Sequence, residues 1–183
     1  MKNYKIIYFI IYFFIIQCNN FNEKSNLFEF EKVLNSENTS QVGSNYIEGI
    51  SPNIFEKNLI VNGFYLNDNA SFEKNNLSKK EYLKELSKTK YFVTITSDEK
   101  IKTLEFRVIA EDSSLTRANK FFSKAISIPF SQIDTSRIKN WCHQNIKLVN
   151  ISFSRGTILA NIHYVLEKLS EKEFRLKIKK YSS

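Results

Sequence analysis

Apolar and polar side chains alternate along several stretches of this chain, and a two-residue period is typical of a half-buried β-strand. The clearest stretches lie in the C-terminal third. Three strands are predicted there on their apolar positions, which are Val149, Ile151 and Phe153, then Ile158, Ala160, Ile162, Tyr164 and Leu166, then Phe174, Leu176 and Ile178. Short turns at Arg155-Gly156 and at 170–172 separate them. The segment is therefore predicted to be an antiparallel β-meander.

A second alternating region precedes the meander. Tyr91, Val93 and Ile95 alternate with polar residues, residues 97–100 are polar, and alternation resumes over 104–108. Two alternating runs joined by a short polar turn predict a β-hairpin.

Three other segments have the spacing of helices. Ser78-Lys79-Lys80-Glu81 matches the capping-box pattern and, with the apolar residues after it, predicts a helix over 78–88. Apolar positions from Leu115 to Ala125 recur every three to four residues, which predicts a second helix. Asp134 or Thr135 is a suitable cap for a short third helix. The predicted fold class is α+β, one domain with a C-terminal meander, a preceding hairpin and two or three short packing helices.

Composition agrees with one globular domain. The chain has 183 residues, 42% of them hydrophobic, with only 4 Gly and 2 Pro, which excludes disordered and collagen-like classes. Two cysteines exclude a disulfide-rich scaffold. The net charge of +8 favours anionic partners in general.

The N-terminus has a different pattern. Lys2 and Lys5 precede an unbroken apolar run from Ile6 to Ile16. That run is about half of the roughly 20 apolar residues that a membrane-spanning helix needs. A basic start followed by a short apolar run is typical of a secretory signal peptide, which is predicted over residues 1–17.

The run ends in Ile15-Ile16-Gln17-Cys18, which resembles the lipobox of bacterial lipoproteins. Spirochaetal lipoproteins are the most similar, because their lipoboxes are loose and their composition is rich in Ile, Asn and Lys. Gln17 departs from the Gly, Ala or Ser that is usual there. The resemblance implies that Cys18 is acylated on its thiol, becomes the new N-terminus and holds the protein on a membrane of the bacterial envelope.

Residues 18–45 are predicted to be the lipidated cysteine and a flexible tether, since they are rich in Asn, Ser, Glu and Lys. Leu27 to Leu34 could form a short helix within it. The α+β domain is predicted over 46–183. Asn19 and Asn20 follow the cysteine without the aspartate that retains enteric lipoproteins in the inner membrane, so the outer membrane or cell surface is the expected location.

Candidate chemistry is sparse. Cys142, His143 and His163 are the residues that an enzyme would use, but adjacent residues on a helix point about 100° apart, which is poor geometry for a nucleophile and its base. A zinc site needs about four ligands, and with Cys18 acylated the chain offers one cysteine and two histidines, so carboxylates would have to complete the site. No catalytic residue, metal or cofactor is predicted.

The last strand carries a row of cations, Arg175, Lys177 and Lys179, alternating with apolar residues. One interpretation is a site for a polyanion or for lipid headgroups. The other is protection of a sheet edge, where lysines discourage aggregation. A nucleic-acid partner is not expected for an exported protein.

These observations predict a membrane-anchored envelope lipoprotein with a binding or structural role and a protein or polyanion partner. The alternative is a periplasmic accessory protein that binds a lipid or peptide between its helices and sheet. An enzyme is the third hypothesis.

Overall fold

The computed structural model describes residues 46–74, 76–111, 114–128 and 135–181. Three α-helices lie in these ranges, α1 (Pro52–Val61), α2 (Ser114–Ile126) and α3 (Thr135–Asn145), with a short 3-10 helix at Asp68–Ala70. The strands are β1 (Tyr65–Leu66), β2 (Phe72–Lys74), β3 (Leu77–Leu86), β4 (Thr89–Ser97), β5 (Ile101–Ala110), β6 (Arg155–Leu159), β7 (Ile162–Ser170) and β8 (Glu173–Lys180).

The strands form one antiparallel sheet in the order β1-β3-β4-β5-β8-β7-β6, and β2 pairs with β3 beside β1. The N-terminal strands and the C-terminal meander meet where β5 pairs with β8. The predicted α+β domain with its C-terminal meander is therefore confirmed. In the described ranges no helix is long and apolar enough to cross a bilayer.

The core lies between one face of the sheet and the three helices. Phe55 of α1, Phe121 and Phe122 of α2 and Ile138 of α3 are all at most 1% exposed. The Phe121 ring lies 5.1 Å from the ring of Tyr91 on β4 and 5.9 Å from that of Phe106 on β5. Edge-on and tilted ring contacts at these distances stabilise the packing beyond the area that they bury.

The predicted β4–β5 hairpin and the helices α2 and α3 are confirmed. Thr135 begins α3, whereas the alternative cap at Asp134 lies outside the described residues. So do the predicted signal peptide, Cys18, the tether and the short helix at 27–34.

The helix predicted over 78–88 is wrong, because this segment is strand β3. Its backbone pairs with β4 from Ser78 to Leu86 and with β1 and β2 on its other side. Lys80 and Lys84 point to the helix side, where the Glu56 carboxylate lies 2.9 Å from Lys80 Nζ, and Lys84 Nζ donates to the Asn62 carbonyl at 2.7 Å. Because Lys80 and Lys84 are polar residues on the buried face, the sequence of β3 lacks the apolar–polar alternation that predicts a strand.

The predicted boundaries in the meander also change. Val149 to Phe153 form no strand and make only an isolated bridge. The predicted turn at Arg155-Gly156 is instead the start of β6, and the real turn is at Ala160 and Asn161, with φ angles of 48° and 61°. Ile158 is consequently 46% exposed, although it was expected on the buried face with Ile162, which is 3% exposed.

This hairpin supplies a matched pair of substitutions. Ile162→Ala should lower the free energy of unfolding by about 2–5 kcal/mol, because it opens a cavity in the core. Ile158→Ala removes the same atoms from an exposed site and should cost under about 1 kcal/mol. Urea unfolding of both variant proteins measures these values, and equal losses would contradict the β6–β7 register.

Candidate functional site

The face of the sheet that points away from the three helices carries mainly charged and polar side chains. We call it the open face. Successive side chains of a strand point to opposite faces of the sheet. The neighbours of the core positions Val93, Phe106 and Leu176 along each strand therefore point to the open face. Its central members are Glu81, Phe92, Thr94, Glu105, Arg107, Glu167, Glu173, Arg175 and Lys177.

Arg107 is the centre of this face. Its guanidinium contacts the Glu81 and Glu173 carboxylates, both at 3.1 Å, and lies over the Phe92 ring at 4.1 Å from the centroid. The Glu81 carboxylate also accepts from Asn67 Nδ2 at 2.8 Å, and its residue is 8% exposed. A carboxylate this well buried needs its cation, because desolvation would otherwise penalise its charge.

Arg175 and Lys177, the first two cations of the candidate polyanion site, have acidic partners within the protein. Arg175 Nε donates to Glu167 at 2.7 Å, and its Nη1 lies 3.5 Å from Glu105. Lys177 Nζ lies 2.9 Å from the same Glu105. The hydrogen bond to Glu167 raises the pKa of the Arg175 guanidinium above its usual value. The charges of Arg175 and Lys177 are therefore largely neutralised by carboxylates of the protein itself.

Edge protection does not explain the cations of β8 either. The strand lies between β5 and β7, so it is an interior strand of the sheet. Both of its backbone edges are paired, and it has no free edge to protect.

Lys179, the third predicted residue, lies in a different environment. Cross-strand register places it between Thr103 on β5 and His163 on β7. The same row continues through Thr96 on β4 to Lys79 on β3. We call Lys79, Thr96, Thr103, Lys179 and His163 the basic row. It contains hydrogen-bond donors and no carboxylate.

Cys142, His143 and His163 are not brought together. Cys142 is buried in the core on the helix side of the sheet, and burial raises the pKa of its thiol to about 12. His143 is exposed, with Nδ1 2.9 Å from Asn119 Nδ2. His163 belongs to the open face, on the other side of the sheet. A thiolate nucleophile has no base within this arrangement.

A groove of about 190 Å³ lies elsewhere, between the loop before β6 and the end of β7. Its lining includes Ile151, Phe153, Glu167 and Leu169. Pockets for small ligands usually span about 300–1,000 Å³, so this groove is small. Among the described residues no group of three or more His, Cys, Asp or Glu side chains could hold a metal ion.

Sequence reasoning missed Lys79, Thr96 and Thr103. Lys79 was assigned to a helix, so its place in a row across the sheet was hidden. Thr96 is only a polar position of the predicted hairpin, and Thr103 lies just before the predicted alternation over 104–108. Register between strands that are distant in sequence is the information that joins them to Lys179, and alternation alone does not contain it.

Arg107→Leu should lower the free energy of unfolding by about 3–5 kcal/mol, because it leaves Glu81 buried without its cation. The matched control is Lys88→Ala, which removes a cation that is 72% exposed and 3.7 Å from Glu111. An exposed pair of this kind contributes about 0–1 kcal/mol. Chemical denaturation of both variants gives the comparison, and an Arg107 variant as stable as the Lys88 variant would overturn the role of this cluster.

Comparisons with protein-family models, with curated proteins and with solved structures find no match for this chain. What the protein does is therefore inferred from its own residues and their geometry.

Proposed function

We propose that this protein is a lipid-anchored lipoprotein of a bacterial envelope, and that its domain is a binding module that uses the open face of the sheet. The observation that carries the binding role is the one-sided packing. All three described α-helices lie on one face, and no described α-helix covers the other. The anchor is inferred from Cys18 at the end of a short apolar run.

The open face suits binding because its side chains are held in place. Arg107 is fixed by two carboxylates and an aromatic ring, and Arg175 by two carboxylates. A surface that is ordered before its partner arrives loses less conformational entropy on association. Strands also position side chains more rigidly than loops do.

The alternative, a periplasmic accessory protein that binds a lipid or peptide, has one supporting observation. The groove beside Ile151 and Phe153 is partly apolar, and these side chains are 58% and 50% exposed. The groove lies at a loop, however, and not between helices and sheet as this hypothesis expected. Its small volume favours the binding face as the main proposal.

The anchor is tested by Cys18→Ala. The variant should lose incorporation of labelled fatty acid and move from the membrane fraction to the soluble fraction, since it lacks the acyl chains that hold a protein on a bilayer. Cys142→Ala is the control, and it should keep both the label and the membrane association. A mature wild-type protein that retains residues 1–17 and carries no lipid would contradict the proposal.

The location separates the two candidate functions. A surface lipoprotein should be digested when protease is added to intact cells, because its domain lies outside the permeability barrier. Immunoblotting of the wild-type chain measures this loss. Digestion that begins only after the outer membrane is permeabilised would favour the periplasmic alternative.

A further inference from the structure

The basic row has an apolar residue beyond each of its ends. Lys79 pairs with Phe72 on β2, and His163 pairs with Ile158 on β6, so the whole line crosses seven strands. At about 4.8 Å between neighbouring strands, this line is about 30 Å wide. That width matches an extended surface and not a pocket for one small molecule.

The positive charge of this row is not compensated within the described residues. Lys79 and Lys179 form no ion pair with them, and Lys79 Nζ lies 5.9 Å from the centroid of the Phe72 ring. Two acids near this end of the sheet have other partners, since Glu105 binds Lys177 at 2.9 Å and Asp98 binds Lys102 at 2.9 Å.

The pKa of His163 depends on the positive charge of the neighbouring Lys179. Burial and the Lys179 ammonium lower the pKa of its imidazole below the usual value. Tyr181 contacts this ring edge-on, at 6.3 Å between centroids. An anion that bound here would offset the effect of Lys179 and raise the pKa of His163.

Exposed apolar side chains accompany the cations. Phe72 is 54% exposed, Ile158 46% and Tyr181 43%. Aromatic rings next to lysines are typical of surfaces that meet the interface of a bilayer, where rings lie at headgroup level and ammonium groups reach phosphates. A soluble phosphate compound would leave these apolar groups in water.

The chain enters the domain at the same end of the sheet. The Ile47 amide donates to the Ile101 carbonyl at 2.7 Å, and the Tyr46 hydroxyl donates to Asp98 at 3.1 Å. Both acceptors are within a few residues of Thr103 in the basic row. A tether from the membrane would therefore arrive at the end of the sheet that carries the row.

We propose that the basic row, with Phe72, Ile158 and Tyr181, docks the domain on an anionic phospholipid surface. The Lys79 and Lys179 ammonium groups and the hydroxyls of Thr96 and Thr103 bind headgroup phosphates, and the three apolar side chains enter the interface. The choice of a membrane as the partner rests on the proposed anchoring, whereas the anion site rests on the row itself.

The test uses the mature chain, residues 18–183, with Cys18→Ser, so that no acyl chain contributes to binding. Sedimentation measures its partition onto vesicles of phosphatidylglycerol mixed with phosphatidylcholine, and onto phosphatidylcholine alone. Partition should be measurable on the anionic vesicles and absent on phosphatidylcholine alone, and it should weaken as salt rises. The salt series needs no substitution within the folded domain and so does not depend on how such a variant folds.

The double variant Lys79→Gln/Lys179→Gln should bind about 30-fold more weakly, from the usual contribution of two basic side chains near an anionic surface. Its matched control is Lys88→Gln/Lys172→Gln, which makes the same change of net charge on two lysines in turns at the opposite end of the sheet. The control should retain wild-type partition. Equal losses in both would show attraction by net charge alone and would overturn the proposal.

A third variant, Phe72→Ser/Tyr181→Ser, separates lipid from free phosphate. It should weaken vesicle binding while leaving thermal unfolding close to wild type. If inorganic phosphate raises the pKa of His163, measured by NMR, while vesicles do not bind, the ligand is a soluble phosphate compound and the membrane proposal is overturned.

The experiments distinguish a failure of the proposed anchor from a failure of the proposed docking surface. Vesicle binding by the Cys18→Ser chain, together with no fatty-acid label on the wild type, would overturn the anchor and support the docking surface. Fatty-acid label on the wild type, together with no preference of the Cys18→Ser chain for anionic vesicles, would support the anchor and overturn the docking surface.

Discussion

The pairing of β5 with β8 is the constraint on which the rest of the structure depends. The two strands are distant in sequence, and their register, from Thr103 opposite Lys179 to Ile109 opposite Glu173, joins two small sheets into one. The entropy cost of closing such a loop grows slowly with its length, and the buried pairs Phe106–Leu176 and Leu104–Ile178 offset it. Because β6 and β7 then lie beyond β8, the chain from β5 to β6 must cross the sheet, and α2 and α3 make that crossing on one face. The position of α2 and α3 on one face follows from this pairing.

The same register decides which cations are available to a partner. Glu105 lies opposite Lys177 and also within reach of Arg175, so both of those cations are held by the protein. Lys179 lies opposite Thr103, whose hydroxyl cannot neutralise it. A slip of two residues between β5 and β8 would place Lys179 opposite Glu105 and remove the uncompensated charge. The core pairs that fix the register therefore also fix the difference between the ion-paired centre of the open face and the basic row at its end.

Sequence patterns predicted the parts of the fold that depend on local periodicity. The β4–β5 hairpin, α2 and β8 are confirmed, because burial of one face imposes a period that the sequence shows directly. The errors arise where contacts distant in sequence override it. Inward-facing Lys80 and Lys84 on β3 are stabilised by α1, and no local rule anticipates that. At Ala160 and Asn161 a turn without glycine changes which positions face the core, so alternation continues in the sequence while Ile158 becomes exposed. Of the candidate site, the sequence identified Lys179, but its partners across the sheet follow only from register.

A docking surface of this kind needs the proposed anchor to be effective. A few lysines and exposed rings give weak and reversible attraction to an anionic bilayer, and rising salt reduces it further. Under the proposed anchoring, a flexible tether over residues 18–45 would span about 30 Å on average and would keep the domain close to the membrane. Binding then becomes intramolecular, with an effective concentration in about the millimolar range. At that concentration a weak contact is enough to orient the domain with its basic row toward the bilayer. The helices, and the ion-paired centre of the open face around Arg107, would remain accessible to a further partner.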